Sequence, residues 1–292
     1  MLMYKLQSIL VYTFIWGSIY LLISLGFSLI CGVLRIFHLG YGVTFVLAAY
    51  GTWAFMDGFH LGLLPSVGLM LVLQIAVALL VFYRGIFQRY LEQEEILLTL
   101  SMLVFLAATH LANYLYPVTA GVAIPTTIID GTFKLGKVRI SYQMLLAALT
   151  GILVTVLFAF MFLKTRVGLI IRAMSQDIQA SRLMGADVDK MYYLAITLSV
   201  IPPTICVLMI APFWSVDPFM GAPLLMTAML VSILGGLGSL KGIITASYMI
   251  GFFHASVSFL YVSRFMGFAA LVITLLVMIF KRGGLYPGET IW

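Results

Sequence analysis

The feature that most constrains this chain is its succession of apolar runs, each about 17–25 residues long, the length a helix needs to cross the hydrocarbon core of a bilayer. They fall near 8–33, 40–56, 61–83, 96–116, 140–163, 191–212, 222–238, 242–262 and 265–280, nine in all. Charged residues make up only 9% of the sequence, against about 25% in a soluble domain. The predicted fold is an all-α integral membrane protein, a polytopic helical bundle of about 8–9 transmembrane spans with broken helices and a small external β-hairpin. A single transmembrane domain over residues 1–292 is expected. The first run exceeds the roughly 7–15 residues of a signal-peptide core and is read as a retained span. Cys31 and Cys206 both lie in apolar runs, where thiols pack; neither a disulfide framework nor a metal site is suggested.

Charge sets the expected orientation. The loop at about 164–190 carries Lys164, Arg166, Arg172, Arg182 and Lys190 and is therefore placed in the cytoplasm. Alternation then adds Arg35, Arg84, Arg89, Lys241, Lys281 and Arg282 to the same side, eleven of the sixteen basic residues. Lys5, Lys134, Lys137, Arg139 and Arg264 fall outside, with the amino terminus, and the carboxy terminus is cytoplasmic. All ten acidic residues lie in loops or at span ends. Ion-coupled carriers commonly hold a carboxylate at the midplane, so this distribution argues against one.

Four stretches interrupt the apolar pattern. From Ser24 to Trp53, Gly26, Gly32, Gly40 and Gly42 weaken helix while Arg35 and His38 bring polarity to membrane depth. Such a break lines a watery passage or forms a headgroup-level turn. From Arg172 to Pro203, Ser175 is expected to cap a helix over Gln176–Met184, about 13 Å long, that Gly185 closes. Pro202-Pro203 should break or kink the sixth span. Gly235-Gly236-Leu237-Gly238-Ser239-Leu240-Lys241-Gly242 fails as a phosphate loop, because Leu240 and Gly242 flank the lysine where glycine and a hydroxyl residue are needed. It is either a tight interhelical turn or a second pore-lining break. In the external segment at about 117–139, Asp130-Gly131 reads as a hairpin turn and Gly136-Lys137 as a further bend. The acidic run near Glu94 is read as a solvated loop, and His254 as a functional group or an interhelical hydrogen-bond partner.

Three of these stretches carry a family likeness. Gln179-Ala180-Ser181, three residues, then Gly185 resembles the E-A-A-x-x-x-G loop through which membrane subunits of ABC importers contact their ATPases. The string R-A-x-x-Q-D-x-x-A-x-R-L-M-G over 172–185 is similar to the permeases of branched-chain amino acid importers, the LivH/LivM family, and to its LivH-like half. The segment from Ser24 resembles that family's S-L-x-L-x-x-x-x-G-V-L-R-x-x-N-L-G-H-G, with His38 for the asparagine and Tyr41 for the histidine. G-G-x-G-S-x-x-G from Gly235 and the closing KRGGLYPGE complete the resemblance.

The resemblance implies a permease subunit in a bacterial or archaeal cytoplasmic membrane. It would form the path for branched-chain or other hydrophobic amino acids. Implied partners are a second permease subunit or a second copy of this chain, two cytoplasmic ATPases that bind the ATP, and an external substrate-binding protein. The chain itself would carry no cofactor, metal or enzymatic activity, and no nucleic acid is expected. Arg172, Gln176, Asp177, Arg182, Leu183 and Gly185 become the expected ATPase contact. Gly32, Arg35, His38, Tyr41, Gly235, Gly236 and Gly238 become the expected translocation path. The departures at His38 and Tyr41 leave urea and short amides open as substrates. A passive channel for a small neutral solute such as urea, and an ion-coupled carrier, are the alternative readings.

Overall fold

The computed structural model describes residues 2–91, 93–116, 128–136, 138–214, 216–261, 265–281 and 283–286. Helix α1 (Leu2–Leu34) leads into a short turn at Leu39–Tyr41 and α2 (Gly42–Gly58). Next come α3 (Leu63–Val77), continued by a π-helical segment Ala78–Phe87 and the turn α4 (Gln88–Tyr90), and then α5 (Glu94–Leu115). Strands β1 (Thr132–Leu135) and β2 (Val138–Ser141) precede α6 (Tyr142–Lys164), α7 (Arg166–Gln176) and α8 (Ile178–Leu183). The chain closes with α9 (Val188–Ser199), α10 (Ile201–Ile210), α11 (Gly221–Gly235), α12 (Leu240–Leu260) and α13 (Met266–Phe280).

Seven stretches among the described residues are long and apolar enough to cross a membrane: Lys5–Gly32, Leu39–Gly58, Leu63–Tyr90, Glu94–Leu115, Tyr142–Lys164, Val188–Ile210 and Leu240–Leu260. The other two expected spans are the shorter helices α11 and α13, each about 22 Å long. Helix α1 is the hub. It is apolar all round, as a helix enclosed by others must be, and every residue from Gly17 to Gly32 is buried. Helices α6, α9, α10, α11 and α12 pack around it.

Contacts between loops sort the helix ends into two groups. At one end Gln7 donates from Nε2 to the Leu135 carbonyl at 3.0 Å, Gln143 donates to the Met209 carbonyl at 3.2 Å, and Tyr50 stacks on Tyr116. At the other end Arg35 meets Ser175, Tyr83 donates to Asp189, and Leu285 donates to the Leu234 carbonyl. The alternation read from the charges requires the same grouping.

Two local expectations are corrected. The strands turn between the paired Leu135 and Val138 rather than at Asp130-Gly131; Lys137 lies outside the described residues. Gly136 has φ +64°, the left-handed value that a two-residue hairpin loop needs. Gly131 instead accepts from the Tyr142 amide at 3.2 Å, at the start of α6; residues 117–127 of the expected external segment lie outside the described residues. The acidic residues Glu94 and Glu95 are not in a loop but occupy the first turn of α5, where carboxylates offset the partial positive charge of the helix amides.

The kink at the paired prolines is present: α9 ends at Ser199 and α10 begins at Ile201, with prolines in its first turn. Neither Pro202 nor Pro203 has an N–H for the carbonyls of Leu198 and Ser199. The Ser199 carbonyl is turned against α1, where a Cβ built on Gly26 would lie 2.0 Å from its oxygen. Gly26 is therefore what allows the broken helix to touch the hub. Gly26→Ala should lower the stability of the detergent-solubilised chain by about 1–3 kcal/mol, the usual cost of overpacking. Gly68→Ala, at a glycine with nothing within 4 Å, should leave thermal unfolding followed by tryptophan fluorescence unchanged.

Candidate functional site

The expected ATPase-contact residues lie together, but on a helix pair rather than on one helix. Thr165 caps α7, its hydroxyl accepting from the Gly168 amide at 3.2 Å. Asp177 then leaves helical geometry (φ −150°, ψ 110°) and caps α8, Oδ1 accepting from the Ala180 amide at 2.9 Å. Ser175, the expected cap, is instead buried in the last turn of α7 and donates to the Arg172 carbonyl at 2.7 Å. The carboxylate of Asp177 offers a stronger, charge-assisted acceptor two residues later, so the break falls there.

Gly185 closes α8 as expected. Its φ is +85°, its amide donates to the Arg182 carbonyl and the Ala186 amide donates to the Ser181 carbonyl, each at 3.0 Å. This pair of bonds is a Schellman motif. Ser181 faces inward, while Gln179, Ala180, Arg182, Leu183 and Met184 are exposed. Leu183 and Met184 expose 89% and 91% of their surface. Arg172 is partly buried and bonds to the Gly168 carbonyl of its own helix at 3.3 Å. Asp187 caps α9 and pairs with Lys190 at 2.8 Å; the Lys190 ammonium and amide hold its carboxyl below the usual range.

The residues expected along the path form a second cluster at the same end of the bundle, and most of them meet backbone. A Cβ on Gly32 would lie 2.6 Å from Gly238 Cα, and one on Gly235 2.5 Å from the Gly242 carbonyl carbon. Gly236 and Gly238 adopt φ of +98° and +78°. Their amides donate to the Ser232 carbonyl at 3.0 Å and to Ser28 Oγ at 3.3 Å. The segment after α13 folds back on this turn, where the Leu285 and Tyr286 amides donate to the Leu234 and Gly235 carbonyls at 2.8 and 3.1 Å. Tyr41 is fully buried, its hydroxyl donating to the Ile23 carbonyl at 3.2 Å.

Arg35 and His38 share a connector but do different things. Arg35, exposed and with φ +57°, turns its guanidinium onto the end of α7. Nε donates to the Ser175 carbonyl at 3.1 Å, and Nη2 to the same carbonyl at 2.5 Å and to that of Gln176 at 3.3 Å. His38 is buried against the edges of Phe82 and Phe87 at centroid distances of 4.6 and 4.9 Å.

Beside His38 a cavity of about 10 Å³, also bordered by Tyr41, Thr44, Gln74 and Ser199, has room for about one water. Gln74, unremarked in the sequence, donates to the Thr44 carbonyl, and the Thr204 hydroxyl meets both Gln74 Oε1 and the Val200 carbonyl. A lone amide in an apolar run was the available signal. His254 bonds through Nδ1 to Tyr20 on the hub helix, the interhelical role. Among the described residues no group of three His, Cys, Asp or Glu could hold a metal.

Burial pushes the His38 imidazole down to about 3, below its usual value of about 6.5. The folded protein then keeps His38 neutral while the unfolded chain takes up a proton, so stability is full above pH 6.5 or so and declines as pH falls from there toward 3. Thermal unfolding of the wild type should fall over that window, and His38→Asn should remove this share of the slope.

Comparison with known proteins gives a consistent result. The family model described as "Branched-chain amino acid transport system / permease component" matches residues 9–281. The chain is 24% identical over 282 residues, 90% of each chain, to the high-affinity branched-chain amino acid transport system permease protein LivH of Escherichia coli. It is 23% identical over 285 residues, 92% of each, to the corresponding protein BraD of Pseudomonas aeruginosa. No solved structure matches. The match over nearly the whole chain places this protein in the family of branched-chain amino acid transport permease components, to which it belongs.

Proposed function

We propose that this chain crosses a bacterial cytoplasmic membrane nine times, receives apolar amino acids from an external binding protein, and is driven by ATPases that dock on α8. The observation that carries the docking site is Leu183 and Met184, 89% and 91% exposed, at the tip of a six-residue helix capped at both ends. Exposed apolar side chains on a rigid, capped element are the anchors of a protein interface, in the way that a helix in a groove is recognised. Arg182 adds a cation beside them, and the surrounding loop holds basic residues that favour the cytoplasmic side.

With α8 inside, Arg35, the Gly235–Gly242 turn and the segment after α13 are inside too, and the β1–β2 hairpin is outside beside the start of α1, where the binding protein would dock. Helices α11 and α13 are short for a full crossing, and the bilayer thins locally or flanking basic residues reach out to accommodate them. The partner permease, a LivH/LivM-type relative or a second copy, supplies the other wall of the path. The packed glycines, Gly32, Gly235, Gly236 and Gly238, border the cytoplasmic end of that path as a stiff pivot, and His38 and Tyr41 sit behind it. Branched-chain amino acids are the substrate class favoured by the family, with the substitutions at His38 and Tyr41 altering packing behind the path.

Affinity purification of the tagged chain from its native membrane in mild detergent should recover ATPase subunits, and Leu183→Asp should lower that recovery roughly tenfold or more, as expected for an interface anchor. Equal recovery with Leu183→Asp and Met184→Asp would remove α8 as the docking site.

A further inference from the structure

The break at Asp177 poses a mechanical question. A helix of six residues docked from outside would bend freely at an extended residue, and its motion would be spent there. What prevents this is not on the loop. Helix α7 ends at Gln176, and the last carbonyls of a helix lack intrahelical partners and carry partial negative charge. Arg35 occupies that end, with three hydrogen bonds to the carbonyls of Ser175 and Gln176. Bonds from a guanidinium are charge-assisted, and two of its nitrogens grip one oxygen.

We propose that Arg35 is the positioning residue that carries motion of the α7–α8 junction into the bundle, an inference that rests on α8 being the ATPase contact. The residue follows directly on α1, the helix around which the bundle packs. One turn back Gly32 lies against Gly238, so the end of α1 is also fixed to the turn between α11 and α12. The guanidinium thus closes a triangle of three elements: the end of α7, the end of α1 and the glycine turn. Its backbone is held at φ +57°, a left-handed conformation that costs a non-glycine residue about 1–2 kcal/mol.

The side chain is exposed and borders an open pocket of about 250 Å³ with Phe37, Glu94 and Leu98. Removing it leaves no buried cavity. Arg35→Gly removes the guanidinium and suits the positive φ, while Arg35→Lys keeps the charge but replaces the planar fork by a point donor.

The test uses the complete transporter, this chain with its partner permease, ATPases and binding protein, in proteoliposomes. ATP hydrolysed and substrate imported are measured together, and ATPase recovery is measured beside them. Arg35→Gly should retain its ATPases and hydrolyse ATP, but the ATP used per substrate imported should rise by about tenfold, within the range of a typical coupling energy. Arg35→Lys should fall between the two.

A parallel fall in both activities, a loss of ATPase recovery, or an unchanged ratio would each overturn the role, since a merely structural arginine gives one of these. Should Arg35→Gly not insert, Arg35→Lys decides, a raised ratio supporting the role and a wild-type ratio overturning it. Leu183→Asp is scored separately by ATPase recovery. A wild-type ratio in Arg35→Gly, when Leu183→Asp does lose its ATPases, overturns the Arg35 role and leaves the docking site standing.

Discussion

Inside a bilayer an unpaired backbone amide or carbonyl costs several kcal/mol, because no water is there to satisfy it. Among the described residues, several interruptions of helix are answered by a group from elsewhere in the fold. Arg35 takes the carbonyls at the end of α7. Leu285 and Tyr286 take those at the end of α11. Ser28 receives the Gly238 amide, while at the α9–α10 break the nearby Thr204 hydroxyl covers the Val200 carbonyl. The bundle is held at these breaks by a small number of bonds, and the breaks gather mainly at one end.

Close approach is the second constraint, and it centres on α1. Without the hydrophobic driving force that water supplies, helices in lipid associate through tight packing, which small residues permit. Gly17 and Gly251 face each other where α1 crosses α12, Gly151 meets the Ser18 carbonyl, and Gly26 meets that of Ser199. At these points α1 comes into close contact with α12, α6 and α9. A rigid hub of this kind transmits displacement rather than absorbing it, because packed interiors have little room to deform. The coupling proposed for Arg35 depends on that stiffness.

The polar features of the membrane interior are quiet by comparison. His254 is tied to Tyr20, and His38, on the connector after α1, is buried against Phe82 and Phe87. Neither arrangement resembles a relay that takes up and releases ions during transport. The exposed, doubly capped helix α8 is the element on which the proposed ATPase contact rests.

Much of this was legible in the sequence. Apolar run length located the helices: seven of the nine runs are long enough to cross a membrane and two form shorter apolar helices. Positive φ at Gly185 and the proline break near Ser199 followed from residue chemistry alone. The family likeness over Arg172–Gly185 was also readable, because it lies in one continuous string. What the sequence left open depended on competition or on distance. Asp177 displaced Ser175 as the cap because two acceptors two residues apart competed to start the helix, and Gly136 displaced Gly131 as the hairpin turn because register with β2 decided it. The bond from Arg35 to Ser175 joins residues 140 positions apart. No local pattern encodes such a contact; only the packing of α7 against the end of α1 brings the guanidinium to its carbonyls.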